Sequence, residues 1–224
     1  MSSMTLAAAA ARSTLYTRFP EAQLSPCADS CIASRFSADD TERAARCGLM
    51  DLTPLVRSGF RGAGAEAYLS ACELPVPEKP NLAAATDTGE LVLRLSQREF
   101  WVLGSLKDMG QKVAELASAP VPDSGCYPLF CQDSHSWFTL TGQAGAAVMA
   151  KLCAVDMRDG VFPELSIAQT SVARINAVVV RHSINGTPAF SLLFDSGYAP
   201  YMWEVLLDAM AEFGGAPVGS SALD

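Results

Sequence analysis

Hydrophobic and polar positions along the chain switch between two periods, and the switches mark out its elements. Residues 91–95 alternate apolar and polar side chains, and residues 100–103 are a second apolar run. Ser96, Gln97, Arg98 and Glu99 join them as a hairpin. Residues 175–182 are strongly β-branched and predict a strand. Asn185-Gly186 then supplies the type I′ turn dipeptide, and residues 189–194 return as the partner strand. The helical period shows at Leu106, Met109, Val113 and Leu116, which predicts a helix over 106–116. Residues 65–72, 144–153 and 198–213 also read as helices, the last closed by Gly214-Gly215. Ser37, the acids Asp39, Asp40 and Glu42, and the later Arg43 and Arg46 predict a short helix over 38–47. Residues 56–60 and 136–141 predict strands, each running into a glycine, Gly62 or Gly142, that permits a tight turn.

The order then repeats. Each half reads strand, glycine turn, helix, hairpin, helix, with Gly62, Ala67 and Leu69 matching Gly142, Ala147 and Met149. The expected fold class is α+β, made of two pseudo-repeated halves of mostly antiparallel sheet backed by helices. The halves meet near 118–128, where Pro120, Pro122, Gly125 and Pro128 block both helix and central strand. Residues 1–36 lack clear periodicity and read as an extension that wraps over the domain or a partner. Residues 37–215 read as one domain and 216–224 as a tail.

Composition narrows the function classes. The net charge is −8, and no Lys/Arg run exists, which disfavours nucleic acid and anionic membranes. No apolar run approaches the ~20 residues of a membrane span. The Ala-rich start is too weakly apolar for a secretory signal, so the expected location is cytoplasmic. Half the residues are hydrophobic and 18% are charged. Ordinary domains carry about a quarter charged residues, so a subunit interface is the simplest account of the deficit. An Ala-rich composition explains part of it.

Candidate chemistry is sparse. Cys126, Cys131 and His135 form the most metal-like cluster, with Cys27 and Cys31 as distant reserves, yet the spacing is not that of a closed zinc site. Seven cysteines argue against a disulfide framework, and Cys47, Cys72 and Cys153 read as small buried hydrophobes. His182 and Asp195 could enter a Ser-His-Asp arrangement only by folding, and no G-x-S-x-G elbow is present. Residues 61–66, RGAGAE, vaguely resemble a phosphate loop but lack its lysine; close packing explains the small residues better. Asp39 with Asp40 reads as a helix start, and Asp156 with Asp159 as a loop. No catalytic, cofactor or metal residue is assigned. Trp101 reads as core, and Trp137, Tyr198, Tyr201 and Trp203 as candidate interface aromatics.

Several ordered segments carry a family resemblance. They are RCGLMDLTPLVRSGFRGAGA and LRLSQREFWVLG in the first half, then AQTSVAR at 168–174, Ser196–Glu204 and the AEFG ending. Over about residues 40–215 the chain resembles the gamma subunit of heterotetrameric sarcosine oxidase. Residues 1–36 have no counterpart in the resemblance. That resemblance implies a fold similar to the folate-binding domain of the glycine-cleavage aminomethyltransferase. It also implies alpha, beta and small delta-type partner subunits, whose cofactors would be FAD, FMN, NAD and tetrahydrofolate. The implied reaction is oxidative demethylation of an N-methyl amino acid, with this chain as a non-catalytic member. Related N-methylglutamate dehydrogenase complexes carry a similar subunit, and a stand-alone folate-binding or aminomethyl-transfer protein is the alternative.

Overall fold

The computed structural model of the protein describes residues 13–121 and 125–224. The readings made for residues 1–12 and 122–124 lie outside the described residues.

The elements run in the order the periodicity set, with additions. Gln23–Cys27 (β1) and Ser30–Arg35 (β2) form a separate antiparallel hairpin. Helix Asp40–Cys47 (α1) leads into Gly48–Asp51 (β3) and Arg57–Arg61 (β4). Ala65–Ala71 (α2), Leu82–Ala85 (β5), Leu91–Arg94 (β6), Glu99–Leu103 (β7) and Gln111–Ser118 (α3) complete the first half. The second half holds Tyr127–Leu129 (β8), the short helix Cys131–Ser134 (α4), His135–Thr141 (β9) and Gly145–Leu152 (α5). It continues with Ile167–Val172 (β10), Ile175–Ile184 (β11), Thr187–Asp195 (β12), Ala199–Met210 (α6) and Ala216–Pro217 (β13).

Two sheets result, one of six strands in the order β10-β11-β12-β9-β3-β13 and one of five in the order β5-β6-β7-β4-β8. All pairs are antiparallel except β13 with β3. Period-2 alternation sends each strand's side chains to two different cores. On β7, Trp101 and Leu103 point between the sheets while Phe100 and Val102 point outward beneath α2 and α3. On β12, Leu193 points between the sheets, and Phe190, Leu192 and Phe194 point outward beneath α5 and α6. Three apolar layers therefore alternate with the sheets and helices. The sheets join at one corner, where the Ala83 N–H donates to Leu165 O (2.7 Å) and the Ile167 N–H to Asn81 O (3.0 Å).

Some expectations fall differently. The helix predicted over 106–116 starts only at Gln111, because Met109 (φ 53°) and Gly110 (φ 79°) turn the chain left-handed. Leu106 and Met109 then pack between the sheets, whereas Val113 and Leu116 pack outside, so one apparent stripe serves two cores. Residues 13–35 are built into the fold: Leu15, Cys27 and Ile32 are fully buried. Of the three cysteines read as buried, Cys47 is, Cys153 is half-buried and Cys72 is exposed. Strands β3, β5, β8, β10 and β13 had no period strong enough to announce them. Among the described residues no helix is long and apolar enough to cross a membrane.

Candidate functional site

The gap between the sheets leaves a cavity of about 230 Å³, lined in part by Leu52, Leu91, Trp137, His182, Asn185 and Leu223. Thr86, Ser105, Lys107, Asn185 and Asp224 bring polar groups to it from loops and the C-terminal turn, and Trp137 and His182 reach its wall from β9 and β11, backed by Ser191 and Thr139. Ser191 lies opposite Thr139 on one side and Val180 on the other, and His182 is a diagonal neighbour on the same face. Trp137 Nε1–H donates to Ser191 Oγ (2.9 Å), Thr139 Oγ1 lies 3.1 Å from the same oxygen, and His182 Nε2 lies 2.8 Å from it. Burial holds His182 down to about 4, against the opposing pull of a hydrogen bond with the Ser183 backbone and of the Glu164 charge. The imidazole is therefore neutral near pH 7. With its own N–H serving the Ser183 backbone, Nε2 is left as acceptor for the Ser191 hydroxyl. Each polar group is then satisfied within the network. Asn185 Nδ2 donates to Leu223 O (2.5 Å), which draws the 3₁₀ turn Ser220–Leu223 across the mouth.

Below this region Asp51 and Arg57 are also buried. Arg57 donates to the carbonyls of Thr53 (3.0 Å), Cys131 (3.2 Å), Gln132 (2.5 Å) and His135, and burial pushes it down to about 10. Asp51 is pushed above the usual carboxylate range by burial, although it accepts from the Ser13 hydroxyl and the Thr53 N–H (3.0 Å). Arg57 ties the β3–β4 loop to α4 through main-chain carbonyls, and Asp51 ties it to Ser13.

The residues singled out in the sequence scatter. Cys126 packs in the outer core of the five-stranded sheet and Cys131 in the core between the sheets, so the sheet itself separates them. Burial raises both thiols, Cys131 to about 11, and lowers His135. Among the described residues no group of three His, Cys, Asp or Glu could hold a metal. Cys27 points its thiol at Pro54 O (3.6 Å). His182 does meet a serine, but Asp195 stands opposite His135 on another strand pair. Ser191 is fully buried, so the pair lacks both an orienting acid and access. In RGAGAE, Gly62 sits at φ 132°, its N–H donates to Arg98 O (2.9 Å), and the Gly64 N–H donates to Gly125 O (3.2 Å). A Cβ on Gly62 would lie 1.9 Å from Gly125 O, so this glycine serves close packing. Asp40 is buried and accepts from the Phe36, Ser37 and Gly219 N–H groups at 2.8–3.0 Å. Asp39 pairs loosely with Arg43, while Asp156 binds Arg158 and Asp159 binds Arg181 at the surface.

Trp101, Trp137 and Trp203 are buried; Trp203 packs against Phe19 and Phe138 at ring centroid distances of 5.1 and 5.3 Å. Trp137 and Trp203 therefore face this chain's own cores. Tyr198 and Tyr201 remain exposed. The sequence reading missed Thr139, Ser191, Asp51 and Arg57. For Ser191 the signal was available: it is the one polar residue in the apolar run 189–194.

Comparison with known proteins places this geometry. A chain of heterotetrameric sarcosine oxidase from Corynebacterium sp. U-96 superposes with a TM-score of 0.60 at 22% identity, covering 81% of this chain and 94% of that one. The glycine cleavage system aminomethyltransferase T from Bartonella henselae superposes with a TM-score of 0.68 at 17% identity, over 96% of this chain. This protein spans only 61% of that transferase's length. No curated protein matches the sequence. The profile described as the GCVT N-terminal domain matches residues 85–224. With more than half its length inside that profile and the fold in agreement, the chain belongs to the GCVT N-terminal domain family.

Proposed function

We propose that this chain is a non-catalytic, gamma-type subunit of a multi-subunit, flavin- and tetrahydrofolate-dependent N-methyl amino acid oxidase or dehydrogenase. The complex would carry out a sarcosine oxidase-like oxidative demethylation. The observation that carries the reading is the cavity between the sheets. At about 230 Å³ it is smaller than the ~300–1,000 Å³ usual for ligand pockets, and the Trp137 and His182 ring nitrogens in its wall are spent on Ser191. That size supports a chain that leaves tetrahydrofolate to its partners. The near-complete coverage of one chain of a heterotetrameric oxidase supports the same reading. FAD, FMN, NAD and tetrahydrofolate would then belong to alpha, beta and delta-type partners.

Affinity-tagged chain purified from its native cells is expected to bring down larger subunits with visible flavin absorbance. A monodisperse monomer recovered alone would overturn the reading. Membership of this family and the aminomethyltransferase-like fold favour a second reading, a stand-alone folate-binding or aminomethyl-transfer protein. Calorimetric titration with tetrahydrofolate separates the two: saturable binding to the isolated chain supports the second, and a flat titration at millimolar ligand removes it.

A further inference from the structure

The two helix layers do not close equally. Over the six-stranded sheet α5 and α6 touch, with Lys151 Nζ donating to Ala209 O (2.8 Å) and pairing with Glu212 (3.2 Å). Over the five-stranded sheet, no hydrogen bond or ion pair among the described residues joins α2 to α3. Between α3 and the C-terminal end of α2 with its following loop, and lined also by residues 85–90, runs an open groove of about 1,130 Å³. That is above the usual range for a small-molecule pocket. A helix with its side chains is ~10 Å across and rises ~1.5 Å per residue, so about ten residues of helix would fill this volume.

The lining states the chemistry of an occupant. Leu74, Leu116, Ala85 and Ala119 are at least partly exposed along it, above a base formed by Val102 and Val113. The rim carries Glu73, Asp87 and Glu115 against the single Lys112. A fourth carboxylate, Glu90, sits in the wall, almost fully buried. Its Oε2 accepts from the Thr86 and Thr88 hydroxyls, the latter at 2.6 Å, while Oε1 has no partner. Burial opposes ionisation here, but the two threonine hydrogen bonds and the Lys112 charge outweigh it and hold the carboxyl below the usual range. A buried, ionised carboxylate in the wall adds to the negative potential of the groove, which favours a cationic occupant.

We propose that the groove between α2 and α3 is a docking site for an amphipathic helix of a partner protein. The helix would lay its apolar face on Leu74 and Leu116 and turn a Lys/Arg flank to Glu73, Asp87 and Glu115. The proposal stands on the geometry of this groove and does not require the oxidase-subunit reading.

The test titrates the full chain with a labelled leucine–lysine amphipathic peptide of about 14 residues, read by fluorescence anisotropy. Its leucine–glutamate counterpart is the control. Saturable binding of the lysine peptide alone is expected. Glu115→Lys should weaken it about tenfold or more, while Glu42→Lys, the same charge change on exposed α1, leaves it unchanged. Ser70→Trp, at an exposed position lining the groove, should abolish binding without lowering the melting temperature. Equal weakening by Glu42→Lys, equal binding of the glutamate peptide, full binding by Ser70→Trp, or no saturable binding would each overturn the proposal.

Discussion

Over the six-stranded sheet, α5 and α6 bury a continuous layer that runs from Val148 and Met149 to Trp203, Leu206 and Met210. Over the five-stranded sheet, α2 and α3 contribute Ala65, Tyr68, Leu69 and Val113, and the space between them stays open. Both layers follow the same local plan of glycine turn, helix, hairpin and helix. They differ in helix length, 12 residues in α6 against 8 in α3. The shortening has a local cause, since the left-handed Met109-Gly110 step spends the first turn of the periodic segment on the inner core. A second difference reinforces the first. Residues 15–19 also pack onto the six-stranded side, where Leu15 joins the core and Phe19 meets Trp203. One layer is thus built as a core and the other as a surface with room left in it.

The largest predicted effect tests the closed layer. Trp203→Ala removes the aromatic that bridges α6 to Phe19 and Phe138, and about 3–5 kcal/mol of unfolding free energy should be lost in urea titrations. A loss below about 1 kcal/mol would mean that this layer is not the core described. Next comes acid sensitivity of the inner network. The folded pKa of His182 lies below its ordinary value, so the unfolded chain binds the extra proton first. Stability present at neutral pH is therefore lost as pH falls from 6.5 towards about 4, by about 3 kcal/mol in total. His182→Gln should flatten that window relative to wild type; an unchanged pH profile in the variant would refute the assignment.

Asp40→Asn should be milder, about 2 kcal/mol, because one carboxylate oxygen shared between Phe36 and Gly219 becomes an amide that cannot accept. Hydrogen exchange should rise in residues 30–37 and 217–222 together. Exchange confined to one of them would show that the clasp does not couple the two segments. The smallest effect sharpens the contrast itself. Leu116→Ala, on half-buried α3, should cost about 1 kcal/mol, well under Trp203→Ala. Equal costs for the two would erase the difference between the layers.

Legibility followed periodicity. The Asn185-Gly186 hairpin, α5, α6 and the β6–β7 pair stood out because side-chain alternation and turn chemistry agree there. Strands β3, β8 and β13 are two to four residues long and lack the adjoining hairpin partner that marked β6. The candidate site was less legible. His182 was visible as a residue, but its state was not: Ser191, Thr139 and Trp137 reach it across two strand pairings. The tryptophans show the same limit, since apolar aromatics satisfy a core and an interface by the same burial, and only packing distinguishes them.

The sequence by itself determined the α+β class, the order of most elements and the glycines that close each strand-to-helix turn. These depend on neighbours within a few residues, where sterics and hydrophobic period act. Only the tertiary structure decided that residues 13–35 belong to the fold and that the cysteines lie on opposite sides of a sheet. Only it decided that His182 is neutral inside a satisfied network and that one helix layer closes while the other leaves a groove. Those outcomes depend on long-range pairing and desolvation, which are set by elements far apart in the chain.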